Sequence, residues 1–566
     1  MQSKRTWTPE QESFFDALLL TDENLLLEAV AGSGKSTTLE EGMKRQLKEN
    51  VLPPSTLVCA FNRHIADNFT ERARQANLPI TCRTFNGLGH VAFGRAIGKR
   101  CVVETGKMYL TAKRIWPKFD TSPLSCPDFR KLVDAARNYG LVPRGSPGGA
   151  QEDTDDVWAG LIESADIDVE DFDPSWLVEC ARVLLADMNN QAWNGLIDYT
   201  DQLYLSVTIA GRFDTFKQVV VDEVQDMGKL QHRMMQRLLG MNGRLVGAGD
   251  RNQAIYGFRG ADTRSITTMT NLFSMKPMPL TVSFRCPKAV VRQANKIVPY
   301  MKSAPTAPEG IVGISKPAEI RPGDFVLCRY NQPLAVLWLR LIQRGIGATI
   351  LGRDIGANLA RLLKKRGAQG NEAMPLEKAL THLEAWSTSE RTKFESKGKQ
   401  DRSDSISDRV TAIQALCEAA PPNATVRWFI DKIEFLFSDK PGSPAIVTLS
   451  TIHKAKGLEF ARVHFLGREK LPPRKGNDQE HNLIYVGETR AMSELYFMSE
   501  RALKRFSEED LTVEELFAPR PPKLPSVPSL AAPVSDMTRE EEIRLQQEHL
   551  AKQKKAKDLT LDDLGL

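Results

Sequence analysis

The segment EAVAGSGKST, residues 28–37, is the stretch of the sequence that is most informative about the fold. An apolar run, LLLE (25–28), leads into a glycine-containing turn, and a helical pattern starts at Lys35. Glycines in such a turn let main-chain N–H groups point at a phosphate chain, and the new helix adds its positive end. The segment departs from the strict P-loop pattern at Ala29, where that pattern has glycine. The predicted phosphate-binding residues are Ala31, Gly32, Ser33, Gly34, Lys35, Ser36 and Thr37.

Two side chains of this loop have a partner elsewhere in the sequence. Lys35 is suited to reach the β- and γ-phosphates, and the hydroxyl of Ser36 is suited to bind Mg²⁺. The acidic segment QVVVDEVQD (218–226) predicts a buried strand, neighbouring the P-loop strand, that ends at Asp222. Asp222 would hold Mg²⁺, directly or through water, and Glu223 would polarise the attacking water as a general base. These motifs together predict a site that binds and hydrolyses ATP with Mg²⁺.

Composition limits the class of protein without identifying it. A chain of 566 residues is too long for one core, which predicts two or more domains. Hydrophobic residues make up 41%, charged residues 26%, and the net charge is only +5, so the charge balance is compatible with nucleic-acid binding but does not indicate it. The eight cysteines form no CxxC pair, which argues against a zinc ribbon or a disulfide framework. The sequence has no apolar run of membrane-spanning length and no secretory signal, so we expect a cytosolic protein.

Apolar runs alternate with helical patterns along the chain, as in parallel sheets whose two faces are covered by helices. The predicted strands are LLLE (25–28), TLVCAF (56–61), ITCRTF (80–85), QVVVDE (218–223), RLVGAGD (244–250), PLTVSF (279–284), DFVLCRY (324–330), GATIL (347–351), AIVTLST (445–451), ARVHFLG (461–467) and ELYFM (494–498). A hydrophilic stretch, 389–409, is either a solvated loop or an exposed helix. The proline-rich end of the chain predicts a disordered linker followed by a charged tail.

These patterns predict an α/β fold with two domains and an insertion in each. We place the first domain at residues 1–95 and 195–279, its helical insertion at 96–194, the second domain at 280–354 and 441–517, its short insertion at 355–440, and the linker and tail at 518–566.

Further motifs follow one another in a fixed order between residues 8 and 491. They are TPEQ (8–11), AVAGSGKST (29–37), CAFNRHIADNF (59–69), RTFNGLG (83–89), DEVQD (222–226), GAGDRNQAIYGFRGA (247–261), VSFRCP (282–287), TLSTIHKAKGLEF (448–460) and LIYVGETRA (483–491). In sequence and in order they resemble the motifs of the UvrD/Rep/PcrA-like superfamily 1 helicases, nearest to the F-box-helicase-like and phage branch. The resemblance implies two tandem RecA-like P-loop domains, with parallel sheets flanked by helices and a mostly helical insertion in each.

The resemblance also implies roles at the nucleotide. Gln11 matches the glutamine that reads adenine, Phe284 takes the place of the aromatic residue that stacks on adenine, and Glu459 matches a residue near the ribose. Arg285 and Arg490 match the two arginines that contact the γ-phosphate from the second domain. The list of predicted catalytic groups is Lys35, Asp222, Glu223, Arg285, Arg490 and Gln253, the last of which matches the γ-phosphate sensor.

For DNA, the resemblance implies contacts from aromatic rings that stack on bases and from polar side chains that bind bases or phosphates. The predicted DNA-binding residues are Phe61, Asn62, Arg63, Thr84, Phe85, Asn86, Tyr256, Phe258, Arg259 and His453. Asn86 stands where the family usually has histidine.

The resulting hypothesis is an ATP-dependent helicase or translocase on single-stranded DNA, with 3′-to-5′ movement implied by the resemblance alone. Replication, repair and recombination remain open as its pathway, and we expect a monomer that acts on single-stranded and tailed duplex DNA. One alternative is a translocase that strips proteins from DNA with little unwinding, which the short second insertion favours. Another is a nucleic-acid-binding scaffold switched by ATP, although a switch has no need of Glu223. The terminal LTLDDLGL is either a partner-binding peptide or a plain disordered end.

Overall fold

The structure is a computed structural model that contains two parallel β-sheets. It describes residues 6–61, 63–117, 123–126, 128–165, 167, 172–256, 264–344, 346–396, 400–417, 420–438, 446–471 and 478–503. The predicted linker and tail, 518–566, lie outside these residues, as do Asn62, Phe258 and Arg259.

The described residues contain seventeen strands and nineteen α-helices. The strands are β1 (Leu25–Ala29), β2 (Thr56–Ala60), β3 (Thr81–Thr84), β4 (Val102–Val103), β5 (Leu196–Ile197), β6 (Phe216–Val221), β7 (Leu239–Gly249), β8 (Lys276–Leu280), β9 (Val282–Ser283), β10 (Lys302–Ser303), β11 (Ile311–Ile314), β12 (Phe325–Cys328), β13 (Ala348–Leu351), β14 (Phe437–Ser438), β15 (Val447–Thr451), β16 (Phe460–Leu466) and β17 (Ala491–Met498). The helices are α1 (Pro9–Leu20), α2 (Lys35–Lys48), α3 (Arg63–Gln75), α4 (Phe85–Ile97), α5 (Lys107–Ile115), α6 (Phe129–Tyr139), α7 (Asp155–Ser164), α8 (Pro174–Trp193), α9 (Tyr199–Thr208), α10 (Lys229–Leu238), α11 (Ser265–Leu272), α12 (Lys288–Ala294), α13 (Asn331–Gln343), α14 (Arg353–Leu362), α15 (Leu376–Ser396), α16 (Gln400–Cys417), α17 (Val426–Leu436), α18 (Ile452–Ala455) and α19 (Asp478–Glu488).

The first sheet has six strands in the order β3-β2-β6-β7-β1-β8, all paired in parallel. Its central strands are apolar and buried on both faces, as a parallel sheet under helices requires. One face packs on α1 and α2 through Phe14, Phe15 and Leu39, and the other packs on the helical insertion through Leu26 and Val219. β8 carries two prolines and lies at the edge, where a missing N–H costs no ladder bond.

The second sheet has seven parallel strands in the order β11-β17-β16-β12-β15-β13-β14. The helices of its insertion share one core with the sheet, in which Leu383 and Ile413 pack with Val326 and Leu449. A third core joins the two sheets, because Val30 and Ile255 of the first half pack with residues such as Val290 and Tyr485. The predicted fold class, two tandem RecA-like α/β domains with helical insertions, is confirmed. The residue boundaries of the domains stay a prediction.

The structure corrects three local expectations. β6, which leads to Asp222, is not a direct neighbour of β1, because β7 lies between them. The run 279–284 is not one strand of the second sheet: Pro279 and Leu280 end β8 on the edge of the first sheet, and Val282 and Ser283 form a separate two-stranded sheet with β10. β3 is not buried on both faces, because it is an edge strand and its residues alternate between exposed and half-buried.

The hydrophilic stretch 389–409 is helical wherever the structure describes it, in the end of α15 and the start of α16. All eight cysteines lie among the described residues as reduced thiols, outside any disulfide, and seven of them are buried. Within the described ranges, no helix combines the length and the apolar character needed to cross a membrane.

A buried cluster of charges ties the helical insertion to the first sheet's helices. The ammonium of Lys107 lies 2.6 Å from Oδ2 of Asp201, and the guanidinium of Arg137 lies 2.9 Å from Oδ1 of the same carboxylate. Arg137 also binds Asp198, whose side chain caps α9 together with that of Asp201. The cluster therefore links α5, α6 and the start of α9 through charges that have little access to water.

Replacing Arg137 with methionine should destabilise this region by about 3–5 kcal/mol, because the buried carboxylates of Asp198 and Asp201 lose a partner. The measurement is the shift of the urea unfolding midpoint. The control is Arg114→Met, which removes an exposed pair with Asp187 and should cost roughly 0–1 kcal/mol. Equal midpoints for the two variants would mean that the buried cluster contributes no more than a surface pair.

Candidate nucleotide and DNA site

The P-loop follows directly from the end of β1. Gly32 and Gly34 adopt left-handed backbone conformations, with φ of 72° and 82°, which glycine adopts without strain. Gly34 caps α2, which starts at Lys35 as predicted, and Ser36 and Thr37 lie in its first turn. The hydroxyl of Ser33 is buried and has no hydrogen-bond partner among the described residues. This hydroxyl lies next to a helix N-terminus, where a bound phosphate would supply the missing hydrogen-bond partner.

The acidic segment meets the P-loop as predicted from the sequence. The Ser36 hydroxyl donates a hydrogen bond to Oδ2 of Asp222, although the two residues lie 186 positions apart. Burial raises the pKa of the Asp222 carboxyl, and the charge of Glu223 raises it further. A hydroxyl and a carboxylate held together are hard oxygen ligands of the kind that Mg²⁺ prefers. The residues present therefore fit the predicted metal.

Glu223 occupies an unusual backbone position beside Lys35. Its φ is 55°, in a region that non-glycine residues rarely adopt, and its carboxylate lies 3.7 Å from the Lys35 ammonium. The side-chain amide of Gln225 also donates to this carboxylate. Burial opposes ionisation of Glu223, but Lys35 and then Lys456 more than offset it and hold the pKa of the carboxyl below its usual range. Glu223 is therefore ionised, as a proton acceptor must be.

Two residues of the site escaped the sequence-based prediction. The buried Asp250 accepts a hydrogen bond of 2.7 Å from the side chain of Gln253, the predicted sensor. The Tyr485 hydroxyl lies 3.3 Å from the same carboxylate and accepts a 2.8 Å bond from the N–H of Ala31 in the P-loop. Asp250 ends an apolar strand just as Asp222 does, so the same rule would have found it. Tyr485 lies in the quoted motif LIYVGETRA, but nothing in the local pattern assigns its hydroxyl a role, because its partners are far away in the sequence.

The two predicted arginines enter from the side of the second sheet. Arg490 is buried and donates to the main-chain carbonyls of Val486 (2.9 Å) and Leu458 (3.0 Å). Burial, with a smaller contribution from the charge of Arg285, lowers the pKa of Arg490 to about 10. Arg285 donates a 2.6 Å bond to Oε2 of Glu459. The structure thus places Glu459 against an arginine of the site.

The segment of Arg285 lies across the P-loop. The N–H of Phe284 donates to the carbonyl of Gly32 at 2.9 Å, and the Phe284 ring is 51% exposed. Gln11 is buried: its amide accepts from the N–H of Thr8 at 3.0 Å and donates to the Thr38 hydroxyl at 2.9 Å. Both predicted adenine-binding residues therefore lie beside the P-loop. Phe284 presents an exposed ring, whereas the Gln11 side chain is held by hydrogen bonds.

The predicted DNA-binding residues fall into two groups. Tyr256 and His453 come together, because the Tyr256 hydroxyl donates to the His453 carbonyl at 3.2 Å. Arg63 is exposed at the start of α3, and Phe61 is half-buried, with its ring 6.0 Å from that of Phe85. Phe85 itself is a correction: it is only 2% exposed and packs in the core, so it presents no face for a base.

Thr84 and Asn86 both form hydrogen bonds within the protein, one local and one to a distant segment. The Thr84 hydroxyl caps α4 by accepting a 3.0 Å bond from the N–H of Gly87, and the Asn86 amide donates to the Tyr199 carbonyl at 2.8 Å. The remaining predicted contacts, Asn62, Phe258 and Arg259, lie outside the described residues.

Comparison with known proteins agrees with this arrangement. The model of the UvrD/REP helicase N-terminal domain matches residues 7–111 and 179–274, and that of the UvrD-like helicase C-terminal domain matches residues 325–502. DNA helicase II of Haemophilus influenzae is 27% identical over 139 residues, which are 23% of this chain and 19% of that protein. ATP-dependent DNA helicase PcrA of Leuconostoc citreum is 24% identical over 50% of this chain and 38% of its own length.

The chain thus spans less than half of the length of these relatives. A longer alignment, at 21% identity, joins 89% of this chain to 84% of ATP-dependent DNA helicase PcrA of Bacillus subtilis. The matched segments contain the P-loop, the acidic segment and the motif of Arg490. Arg285 and its motif, 282–287, fall between the two matched segments. With these matches and two parallel sheets that meet at the P-loop, the chain belongs to the UvrD/Rep/PcrA-like family.

Proposed function

We propose that this protein is an ATP-dependent DNA helicase or translocase of superfamily 1A that moves 3′-to-5′ on single-stranded DNA. The observation that carries the proposal is the set of charges around the P-loop. Lys35 and Glu223 belong to the first sheet, and the charges of Arg285 and Arg490, which enter from the other side, act on them electrostatically. An ATPase of this kind needs cations that arrive from across a cleft, since phosphoryl transfer depends mainly on positioning and charge.

Each residue has a task in this proposal. Lys35 and the N-terminus of α2 bind the phosphates, while Ser36 and Asp222 would hold Mg²⁺, which would supply positive charge to neutralise the phosphates. Glu223 accepts the proton of the attacking water. Arg285 and Arg490 bind the γ-phosphate. Hydrolysis and release of this phosphate therefore remove contacts that hold the two sheets together. Such a loss of contacts is a general route from hydrolysis to domain motion.

The DNA-binding part of the proposal depends on Tyr256 and His453. They lie on segments of different sheets, so motion between the sheets would change how the two residues contact single-stranded DNA. Stacking on aromatic rings is tolerant of sequence, as a translocating protein requires.

A second candidate function is translocation with little unwinding. The observation in its favour is that the second insertion shares its core with the sheet and forms no separate core of its own within the described residues.

The test is steady-state ATP hydrolysis with and without single-stranded DNA, followed by strand displacement on duplexes with either a 3′ or a 5′ tail. Strong stimulation by DNA, with displacement only from the 3′-tailed duplex, is the expected result. Stimulation without displacement would favour the second candidate. Hydrolysis that does not respond to DNA would refute both and favour a switched scaffold. A monomer and a cytosolic location remain our predictions, which sedimentation and fractionation would check. Deletion of residues 518–566 would distinguish a partner-binding tail from a plain disordered end.

The exposed ring of Phe284 should contribute to nucleotide affinity. Phe284→Ala removes a stacking face worth about 1–3 kcal/mol, so we expect KM for ATP to rise roughly tenfold with kcat little changed. Phe284→Tyr is the matched control, since it keeps the ring and should keep KM. If the alanine variant retained the KM of the wild type, the ring would not contact adenine.

A further inference from the structure

A buried ion pair joins the two sheets close to the ATP site. Lys456 follows α18 on the second sheet's side, and Asp226 ends the acidic segment of the first sheet. The Lys456 ammonium lies 2.7 Å from each carboxylate oxygen of Asp226, and both side chains are only 7% exposed. The pair therefore connects two elements that are 230 positions apart in sequence.

The same ammonium has two more contacts in the first half of the chain. It donates a 2.7 Å bond to the main-chain carbonyl of Gln253 and lies 4.8 Å from the centre of the Tyr256 ring. A lysine has three N–H donors, and here two bind the Asp226 carboxylate and the third binds the Gln253 carbonyl. The ring of Tyr256 adds a cation–π contact. One charge thus holds the acidic segment, the proposed γ-phosphate sensor and a proposed DNA contact.

Asp226 is linked in turn to the proposed general base. Its N–H donates to the Glu223 carbonyl at 3.0 Å, and the intervening Gln225 binds the Glu223 carboxylate with its amide nitrogen. The amide oxygen of Gln225 accepts a 3.0 Å bond from the N–H of Asp250. A shift of Asp226 would therefore reach Glu223 through one short turn of backbone.

The energetics of the pair favour two discrete states. A buried lysine and a buried aspartate are costly unless they are paired and hydrogen-bonded, and here Lys456 uses all three of its donors and binds both oxygens of Asp226. Separation of the sheets would return both charges to water, and a partial separation would leave them buried and poorly bonded. The contacts of Lys456 should therefore form and break as a set, which is the property required of a coupling element.

We propose that Lys456 is a positioning residue that couples the ATP site to DNA binding by holding Asp226, Gln253 and Tyr256 in one arrangement. This inference rests on the proposed function, since it assumes that ATP and DNA bind to this chain. Binding of either ligand then favours the arrangement in which Lys456 has all its contacts. By reciprocity, each ligand raises the affinity for the other by the same factor.

The experiment compares full-length wild type with Lys456→Met. The first readout is a ratio of two Kd values for a fluorescein-labelled oligo-dT, one without and one with a non-hydrolysable ATP analogue. Both are measured by anisotropy in the presence of Mg²⁺. The second is the ratio of kcat with and without the oligonucleotide. Couplings between sites are typically 5–150-fold, and we expect the variant to reduce both ratios at least fivefold. Lys276→Met is the matched control, because it breaks an exposed pair with Glu23 and should leave both ratios unchanged.

A second variant covers the possibility that Lys456→Met does not fold. Asp226→Asn keeps the shape of the side chain, removes its charge and should also reduce both ratios. If the pair acts as one unit, the double variant should be no worse than Lys456→Met alone, as in a non-additive double-mutant cycle. Effects that multiply would overturn the proposal, because they would mean that the two residues act separately.

The remaining outcomes separate the two proposals. If the wild type is stimulated by DNA and Lys456→Met keeps both ratios, the coupling role is refuted while the proposed function stands. If the wild type shows neither DNA binding nor stimulation, the proposed function fails and the coupling role falls with it. A merely structural role predicts a lower melting temperature and equal losses with and without DNA, so that both ratios persist, and this result would also overturn the proposal.

Discussion

Glu223→Gln is expected to lower kcat for ATP hydrolysis by about 10²–10⁴-fold, the usual contribution of a positioned general base. Glutamine keeps the length and shape of the side chain, but it has no negative charge and cannot accept the proton of the attacking water. The backbone strain is the same in both proteins, because neither residue is glycine and φ at this position is 55°. The loss should therefore report on chemistry and not on folding.

Binding should respond differently from hydrolysis in this variant. Removing the carboxylate releases Lys35 from its 3.7 Å contact, so we expect ATP affinity to be kept or increased. The measurement is single-turnover hydrolysis together with equilibrium binding of a fluorescent ATP analogue. Glu71→Gln, on the exposed surface of α3, is the control and should leave both unchanged. A variant that hydrolyses ATP at the rate of the wild type would show that another group accepts the proton.

Gly32→Ala should reduce kcat/KM for ATP by roughly 10–100-fold, in line with the cost of an ångström-scale displacement at a reacting centre. A methyl group at this position would overlap the Cβ of Arg285 and lie 2.9 Å from the Ser283 hydroxyl. The segment of Arg285 would have to move away from the P-loop and break the bond between Phe284 and the Gly32 carbonyl. The variant should therefore disturb the phosphate loop and one γ-phosphate arginine together.

The left-handed conformation of Gly32 adds its own strain, so a control has to separate the two effects. Gly149 has φ of 84°, and a Cβ built there meets nothing within 4 Å. Gly149→Ala therefore carries only the conformational cost, about 1–2 kcal/mol, and should lower stability without changing ATP hydrolysis. The measurements are kcat/KM and melting temperature for both variants. Equal kcat/KM for Gly32→Ala and the wild type would mean that Arg285 does not need its present position.

Several features of the site followed from local sequence patterns. A buried strand, a glycine turn and a helix start form a P-loop without reference to the rest of the chain, which is why Lys35 and Ser36 were predictable. Parallel strands align their carboxyl ends at one edge of a sheet, which brings Asp222 to Ser36 even though the predicted pairing of β6 with β1 was wrong. Asp250 also follows an apolar strand, so the same rule could have predicted its place in the site. The order of the motifs indicated the family and, through it, the two arginines.

The contacts between distant segments could not be predicted, because no local pattern relates those segments. The sequence could not show that β7 separates β6 from β1, because several strand orders satisfy the same apolar pattern. It could not distinguish the buried Phe85 from the exposed Phe284, since both rings sit in similar motifs and burial depends on what packs above them. The contacts of Tyr485 with Ala31 and of Lys456 with Asp226 depend on how two sheets meet. The sequence by itself therefore indicated which segments form strands and which reactive side chains follow them. The packing of one sheet against the other determined which charges and rings face one another. Those contacts depend on the whole core, because they join segments that are distant in the sequence.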